Sequence, residues 1–261
     1  MNTNYGFELK WLSCSSFELK FGDVTVVTDP YITECAGTNL TWEAVEKCDL
    51  ICVTHAHYDH VTDIPRLVEK FKPKILCGDR TAMPLCRWLD YNPMKMYAMP
   101  IGNELDFGSV KIQAVYGIHG NLQRNCTTLD KLLANKPDCQ ADPGLYAIQE
   151  IGSFEYRNWL FTLPNGTKIL LWGSPNDTEH TNICKEINPD ILILQRGVSE
   201  KGVHSRVRLA KASGCKVLIP HHQHDSAKLD TDIVNRMGEV FMEEVPGGTF
   251  IFPKHGEWIK L

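Results

Sequence analysis

An α/β fold is expected for this chain, and three observations predict it. Half-buried strand pairs open each half of the sequence, strands with the all-apolar look of burial on both faces follow them, and a dense polar cluster sits where one buried strand gives way to a helix. Phe7–Leu12 and Ser16–Phe21 read as the first strands, with Phe17, Leu19 and Phe21 alternating with polar residues. A Gly22-Asp23 turn leads into Val24–Thr28, which breaks at Asp29-Pro30. Trp42 to Lys47 is expected as a short helix before the continuous apolar run Leu50-Ile51-Cys52-Val53. Thr62 or Asp63 caps the next helix, with Pro65 in its first turn and Leu67, Val68 and Phe71 as its apolar stripe. Lys74–Cys77 reads as a strand, Arg80–Asp90 as a helix, and Pro100–Val115 as two strands parted by Asp106-Phe107-Gly108.

Residues 120–145 change character, carrying polar residues and proline around a single Leu132-Leu133 pair, and are expected as an insertion that lines or lids a site. Strands are expected to resume at Tyr146. Tyr156–Leu163 and Thr167–Trp172 form a hairpin about Asn165-Gly166. Ile191–Leu194 and Val217–Ile219 read as buried strands, Arg206–Ser213 as a helix between them, and Thr249–Phe252 as a late strand. No composition break divides the halves, so residues 1–261 are read as one domain.

Composition narrows the function classes. With 43% hydrophobic and 23% charged residues the chain has ample core, and a net charge of -5 without a dense basic tract gives no support to a nucleic-acid partner. No apolar run reaches the roughly 20 residues of a membrane span, and the first residues lack the charge-then-apolar pattern of a secretion signal, so a cytoplasmic protein is expected. The ten cysteines are scattered, without a Cys-x-x-Cys pair, and Cys52, Cys77 and Cys215 lie in apolar runs where thiols act as small hydrophobes. A disulfide framework, zinc ribbon or iron–sulfur cluster is not indicated.

The chemistry concentrates in Thr54-His55-Ala56-His57-Tyr58-Asp59-His60. Three imidazoles this close would repel one another on protonation unless a cation organised them, and Asp59 adds a carboxylate donor, so the stretch is read as a metal site at a strand end. His119, in Gly117-Ile118-His119-Gly120, and the His221, His222, His224 group after Val217–Ile219 repeat the strand-end placement. His180 and His204 are isolated in sequence.

These residues resemble the metallo-β-lactamase-fold hydrolases. The likeness rests on His55-x-His57-x-Asp59-His60, the Gly22-Asp23…Thr28-Asp29-Pro30 strand pair, His119 and Pro220-x-His222, and within the superfamily it is nearest in look to the ascorbate-6-phosphate lactonase branch. The resemblance implies a four-layer αββα sandwich with one or two divalent metals at its edge. His55, His57 and His119 would hold one; Asp59, His60 and His222 the other. Family members usually carry a bridging aspartate in a Gly-Asp pair where this chain has Gly173-Ser174; either Asp177 reaches back to that place or Ser174 stands in it.

Imidazole and carboxylate donors suit Zn²⁺ first, and also Mn²⁺ or Fe²⁺. The expected activity is hydrolysis of a small ester, lactone or phosphorylated substrate by a metal-bound hydroxide, with Asp59 orienting the nucleophile. Asp29 is a candidate to orient an imidazole, while Arg196, His221 and His224 are candidates near substrate. The alternatives are a phosphodiesterase or nuclease on the same fold, and a non-catalytic metal-binding or ligand-sensing module.

Overall fold

The computed structural model describes residues 4–119, 143–152, 154–222 and 231–261. Two seven-stranded sheets stack face to face. The first runs β14-β1-β2-β3-β4-β5-β6, from β1 (Glu8–Ser13), β2 (Ser16–Phe21), β3 (Val24–Thr28), β4 (Leu50–Cys52), β5 (Lys74–Cys77), β6 (Met96–Ala98) and β14 (Trp258–Lys260). The second runs β13-β12-β11-β10-β9-β8-β7, from β7 (Glu104–Asp106), β8 (Lys111–Gly117), β9 (Tyr156–Thr162), β10 (Lys168–Trp172), β11 (Ile191–Gln195), β12 (Val217–His221) and β13 (Thr249–Phe250). In each sheet antiparallel strands give way to parallel ones, at β3–β4 in the first and β10–β11 in the second.

Period-2 alternation explains the layers. Trp11, Phe17, Leu19, Phe21, Leu50 and Cys52 meet Trp159, Phe161, Ile169, Leu171, Ile191 and Ile193 between the sheets. The intervening residues of the same apolar runs point outward: Ile51 and Ile75 under the first helical layer, Leu170, Trp172, Leu192 and Leu218 under the second. The first layer holds α1 (Tyr58–Val61), α2 (Ile64–Phe71), α3 (Asp79–Trp88) and α4 (Pro143–Gly152); the second holds α5 (Thr178–Ile187), α6 (Glu200–Ser213) and α7 (Thr231–Glu244). The expected αββα sandwich is the architecture found.

Several local expectations are corrected. The segment after Trp42 is one 3₁₀ turn, Trp42–Ala44, which a Thr41 cap is enough to form. The chain does not return to a strand at Tyr146: α4 occupies Pro143–Gly152, its Leu145 and Ile148 packed into the first layer, and β9 starts at Tyr156. The predicted insertion at 120–145 therefore ends in a helix, and residues 120–142 lie outside the described residues. Helices α5 and α7, and the closing strand β14, were not legible as such; α5 has few apolar residues, with Cys184 and His180 providing its buried side. The hairpin turn at Asn165-Gly166 is as expected, with Gly166 at φ +88°.

Candidate metal centre

The parallel strands of both sheets deliver their carboxyl ends to one edge, where open sheets place ligands. There β4 feeds Thr54–His57, and α1 turns Asp59 and His60 back over it. His119 follows β8, Tyr156 begins β9, Gly173 follows β10, and His222 follows β12. A cavity of about 70 Å³ is lined by His55, His60, His119, Tyr156, Gly173, Gln195 and His222. That is room for on the order of two waters.

One imidazole nitrogen each from His55, His57 and His119 converge within 4.8 Å of one another. His55 Nε2 stands 3.0 Å from His57 Nδ1. The network behind them sets the tautomers. Buried Asp29 accepts from the Thr54 backbone N–H and hydroxyl, both at 2.7 Å, and from His60 Nδ1 at 2.9 Å. The Thr54 hydroxyl in turn lies 3.0 Å from His55 Nδ1. Both rings thus hold a proton on the far side and turn an Nε2 lone pair inward. His60 Nε2 is buried and makes no hydrogen bond, with Asp59 Oδ2 at 3.6 Å. An inward lone pair left without a donor, beside three converging imidazoles, is what a divalent cation completes.

The electrostatics agree. Burial holds His55 well below the ordinary imidazole range, with the like charges of His60 and His57 adding to it. Burial and then His119 bring His57 down to about 3; burial and then His60 bring His119 down to about 4. All three are neutral near pH 7, the form that binds metal. Burial opposes ionisation of Asp59, but His60 and His222 outweigh it and keep the carboxylate charged. Burial likewise opposes charge on His222, and Cys14 and Asp59 outweigh it, raising that imidazole well above its usual range. His222 Nε2 lies 3.5 Å from Asp59 Oδ2.

Other sequence candidates find different posts. Asp177 is not brought to the cavity edge: it caps α5, accepting from the His180 backbone N–H at 2.9 Å and pairing with His180 Nδ1 at 2.8 Å. Ser174 does not line the cavity either. Its Oγ accepts from the Ile118 N–H at 3.1 Å and from Asn158 Nδ2 at 3.0 Å, bracing the segment that carries His119. Gly117 makes this brace possible, since a Cβ there would fall 2.7 Å from Ser174 Oγ. Arg196, a candidate near substrate, is buried and donates to the His222 carbonyl at 3.2 Å. His221 has both nitrogens engaged, at 3.0 Å from Ser15 Oγ and 3.0 Å from the Trp172 carbonyl, so it ties β12 to the β1–β2 turn rather than touching substrate. His224 lies outside the described residues. His204 is a surface partner of Glu200.

Sequence reasoning missed Tyr156, Arg206 and Cys14. Tyr156 enters because residue 173 is glycine; a Cβ there would fall 1.9 Å from the phenol oxygen. Burial raises its pKa, with Asp29 adding, so the phenol stays protonated. Half-buried Arg206 donates to the Ser174 carbonyl at 2.6 Å and to Gln195 Oε1 at 3.1 Å, fixing the cavity's far wall. No spacing marks either residue in the sequence. Cys14 brings a thiol to the centre: its Sγ, an Asp59 carboxylate oxygen and a His222 nitrogen lie within 4.8 Å of one another. Its signal was the Ser13-Cys14-Ser15-Ser16 break between two strands.

A Beta-lactamase superfamily domain model matches residues 25–131. Over nearly its whole length the chain overlays Igni18, a metallo hydrolase from Ignicoccus hospitalis, at TM-score 0.68 and 16% identity, covering 97% of each chain. The fold is that of the metallo-β-lactamases. An isothiocyanate hydrolase from Delia radicum gut bacteria shares this metallo-β-lactamase fold at TM-score 0.65 and 16% identity, over 97% of this chain and 98% of that one. Among curated proteins, a UPF0173 metal-dependent hydrolase of Lysinibacillus sphaericus is 32% identical over 113 residues, 42% of this chain and 48% of its own length. The chain spans less than half the length of the curated relatives it matches. Among the described residues no helix is long and apolar enough to cross a membrane.

Proposed function

We propose that this chain is a metal-dependent hydrolase of a small ester, lactone or phosphorylated substrate. The observation that carries the reading is the convergence of His55, His57 and His119 beside the inward, unbonded Nε2 of His60. His55, His57 and His119 would hold one cation, and Asp59, His60 and His222 a second. When bound, Zn²⁺, Mn²⁺ or Fe²⁺ supplies a water acidic enough to ionise near neutral pH and polarises the substrate oxygen. The chain's own residues do the rest. Asp29 and Thr54 keep the imidazole lone pairs aimed inward, and the ionised Asp59 accepts a hydrogen bond from the attacking water and orients it. Tyr156 keeps its proton and can donate to the oxygen on which charge develops. The lactone class rests on the family likeness of the sequence motifs, and the likeness to metal-dependent hydrolases supports hydrolysis in general. The eight cysteines among the described residues are buried thiols outside any disulfide, which suits a reducing compartment such as the cytoplasm.

The test is metal content and turnover together. Purified protein is expected to hold close to two equivalents of transition metal by elemental analysis, and to hydrolyse a member of a panel of activated esters, lactones and phosphodiesters. His57→Ala is expected to lower that turnover by on the order of a thousandfold with the fold unchanged by circular dichroism. Protein that cannot be loaded with metal, or unaltered turnover in the variant, overturns the reading.

A further inference from the structure

Resting on the metal-centre reading above, we infer that Cys14 is a thiolate ligand of the second cation, which it shares with Asp59 and His222. The cluster is assembled from three distant segments: the β1–β2 turn, the first turn of α1, and the end of β12. A tetrahedral ion with one sulfur and nitrogen or oxygen partners needs donor separations of roughly 3.3–3.8 Å, from metal–donor distances of about 2.0–2.3 Å. The Asp59–His222 pair already stands at 3.5 Å, and Cys14 Sγ lies within 4.8 Å of both.

Two features argue that the placement is built rather than incidental. Cys14 and His222 are both non-glycine residues in the left-handed region, at φ +36° and +64°. Such conformations persist where the surroundings over-determine them. Here the His222 N–H donates to the Cys14 carbonyl at 3.1 Å, Trp11 Nε1 donates to that same carbonyl at 3.3 Å, and Arg196 Nε holds the His222 carbonyl at 3.2 Å. His221 pins the neighbouring Ser15. The two backbones are thus locked together in poses that present both side chains to Asp59. The donor Cys14 supplies also answers a shortage, because Ser174 is engaged behind His119 and Asp177 caps α5.

Binding exchanges a proton for the cation: the S–H bond breaks, the S–metal bond forms, and the proton leaves to solvent. A thiolate in the set favours Zn²⁺ and Co²⁺ over Mn²⁺ and Mg²⁺ at this position. Full-length protein loaded with Co²⁺ is expected to show a near-ultraviolet sulfur-to-cobalt charge-transfer band that grows with the second equivalent. Cys14→Ser is expected to lose the band and to bind the second equivalent on the order of tenfold to a hundredfold more weakly. Cys35→Ser, a change to a buried neighbouring thiol outside the cluster, is expected to keep both. X-ray absorption on the zinc-loaded wild type needs no variant, and should find one sulfur at about 2.3 Å. Two equivalents bound without sulfur coordination would overturn the Cys14 assignment alone. A chain that binds no cobalt overturns the metal-centre reading and this inference with it.

Discussion

His55 and His57 share one strand-end loop, so only His119 has to be brought to them, and the hydrogen bonds that orient the group come from adjacent Thr54 and nearby Asp29. Cys14, Asp59 and His222 share no segment. They meet because two strained turns from opposite sheets are bonded backbone to backbone across the edge. The first cluster is nearly a property of local sequence; the second exists only if the two sheets dock in register. A metal bound by the second cluster should therefore be the weaker and more fold-dependent of the two, and its loss should be separable from loss of the first.

The largest separation comes from Asp59→Asn, which removes charge from the second cluster only. Elemental analysis should find one retained equivalent, and turnover of a responsive substrate should fall on the order of a hundredfold to a thousandfold. Retention of both equivalents would show that Asp59 binds no metal.

Acid should act on the first cluster when it carries no metal. His55, His57 and His119 have folded pKa values below that of a free imidazole, so the unfolded chain binds more protons between about pH 4 and pH 6.5. Stability accordingly rises with pH across that window and falls on acidification, by about 1.4 kcal/mol per pH unit for each proton taken up on unfolding. His222, raised instead, is protonated in both states there and adds nothing. Urea midpoints of metal-free protein should drop steeply from pH 6.5 to pH 4.5; a flat profile would mean the three imidazoles are not buried together.

A steric probe is smaller and equally selective. Gly152 ends α4 against the motif, where a Cβ would fall 2.6 Å from His57 Cδ2 and 2.8 Å from the Ala56 carbonyl carbon. Gly152→Ala should cost about 1–3 kcal/mol by urea unfolding and weaken the first equivalent more than the second. An unchanged midpoint would show that α4 does not bear on the loop. Smallest of all, Asp177→Ala should cost about 1 kcal/mol through its lost cap and leave metal content intact. Loss of a metal equivalent in that variant would restore Asp177 to the site.

The sequence by itself determined the strands and strand–helix units of each half and the densest cluster of candidate donors, while the two-sheet sandwich was what the family resemblance implied. Alternating apolar residues in β2, continuous ones in β4 and β11, and four donors within Thr54–His60 are local facts, and local periodicity and spacing are enough to read them. It also placed His119 and His222 at strand ends, because glycine and proline punctuate those strands. Only tertiary structure decided which polar residues near the centre face it. Ser174 and His221 spend their polar atoms on backbone and side chains from other strands, and Asp177 spends its own on the helix it caps. Tyr156 reaches the cavity through the space left by Gly173, on a different strand. Cys14 passed for one more buried thiol because its partners lie on segments that only sheet packing brings together. Contacts between distant strands depend on register and on the angle of sheet docking, and neither is written in the spacing of any one segment.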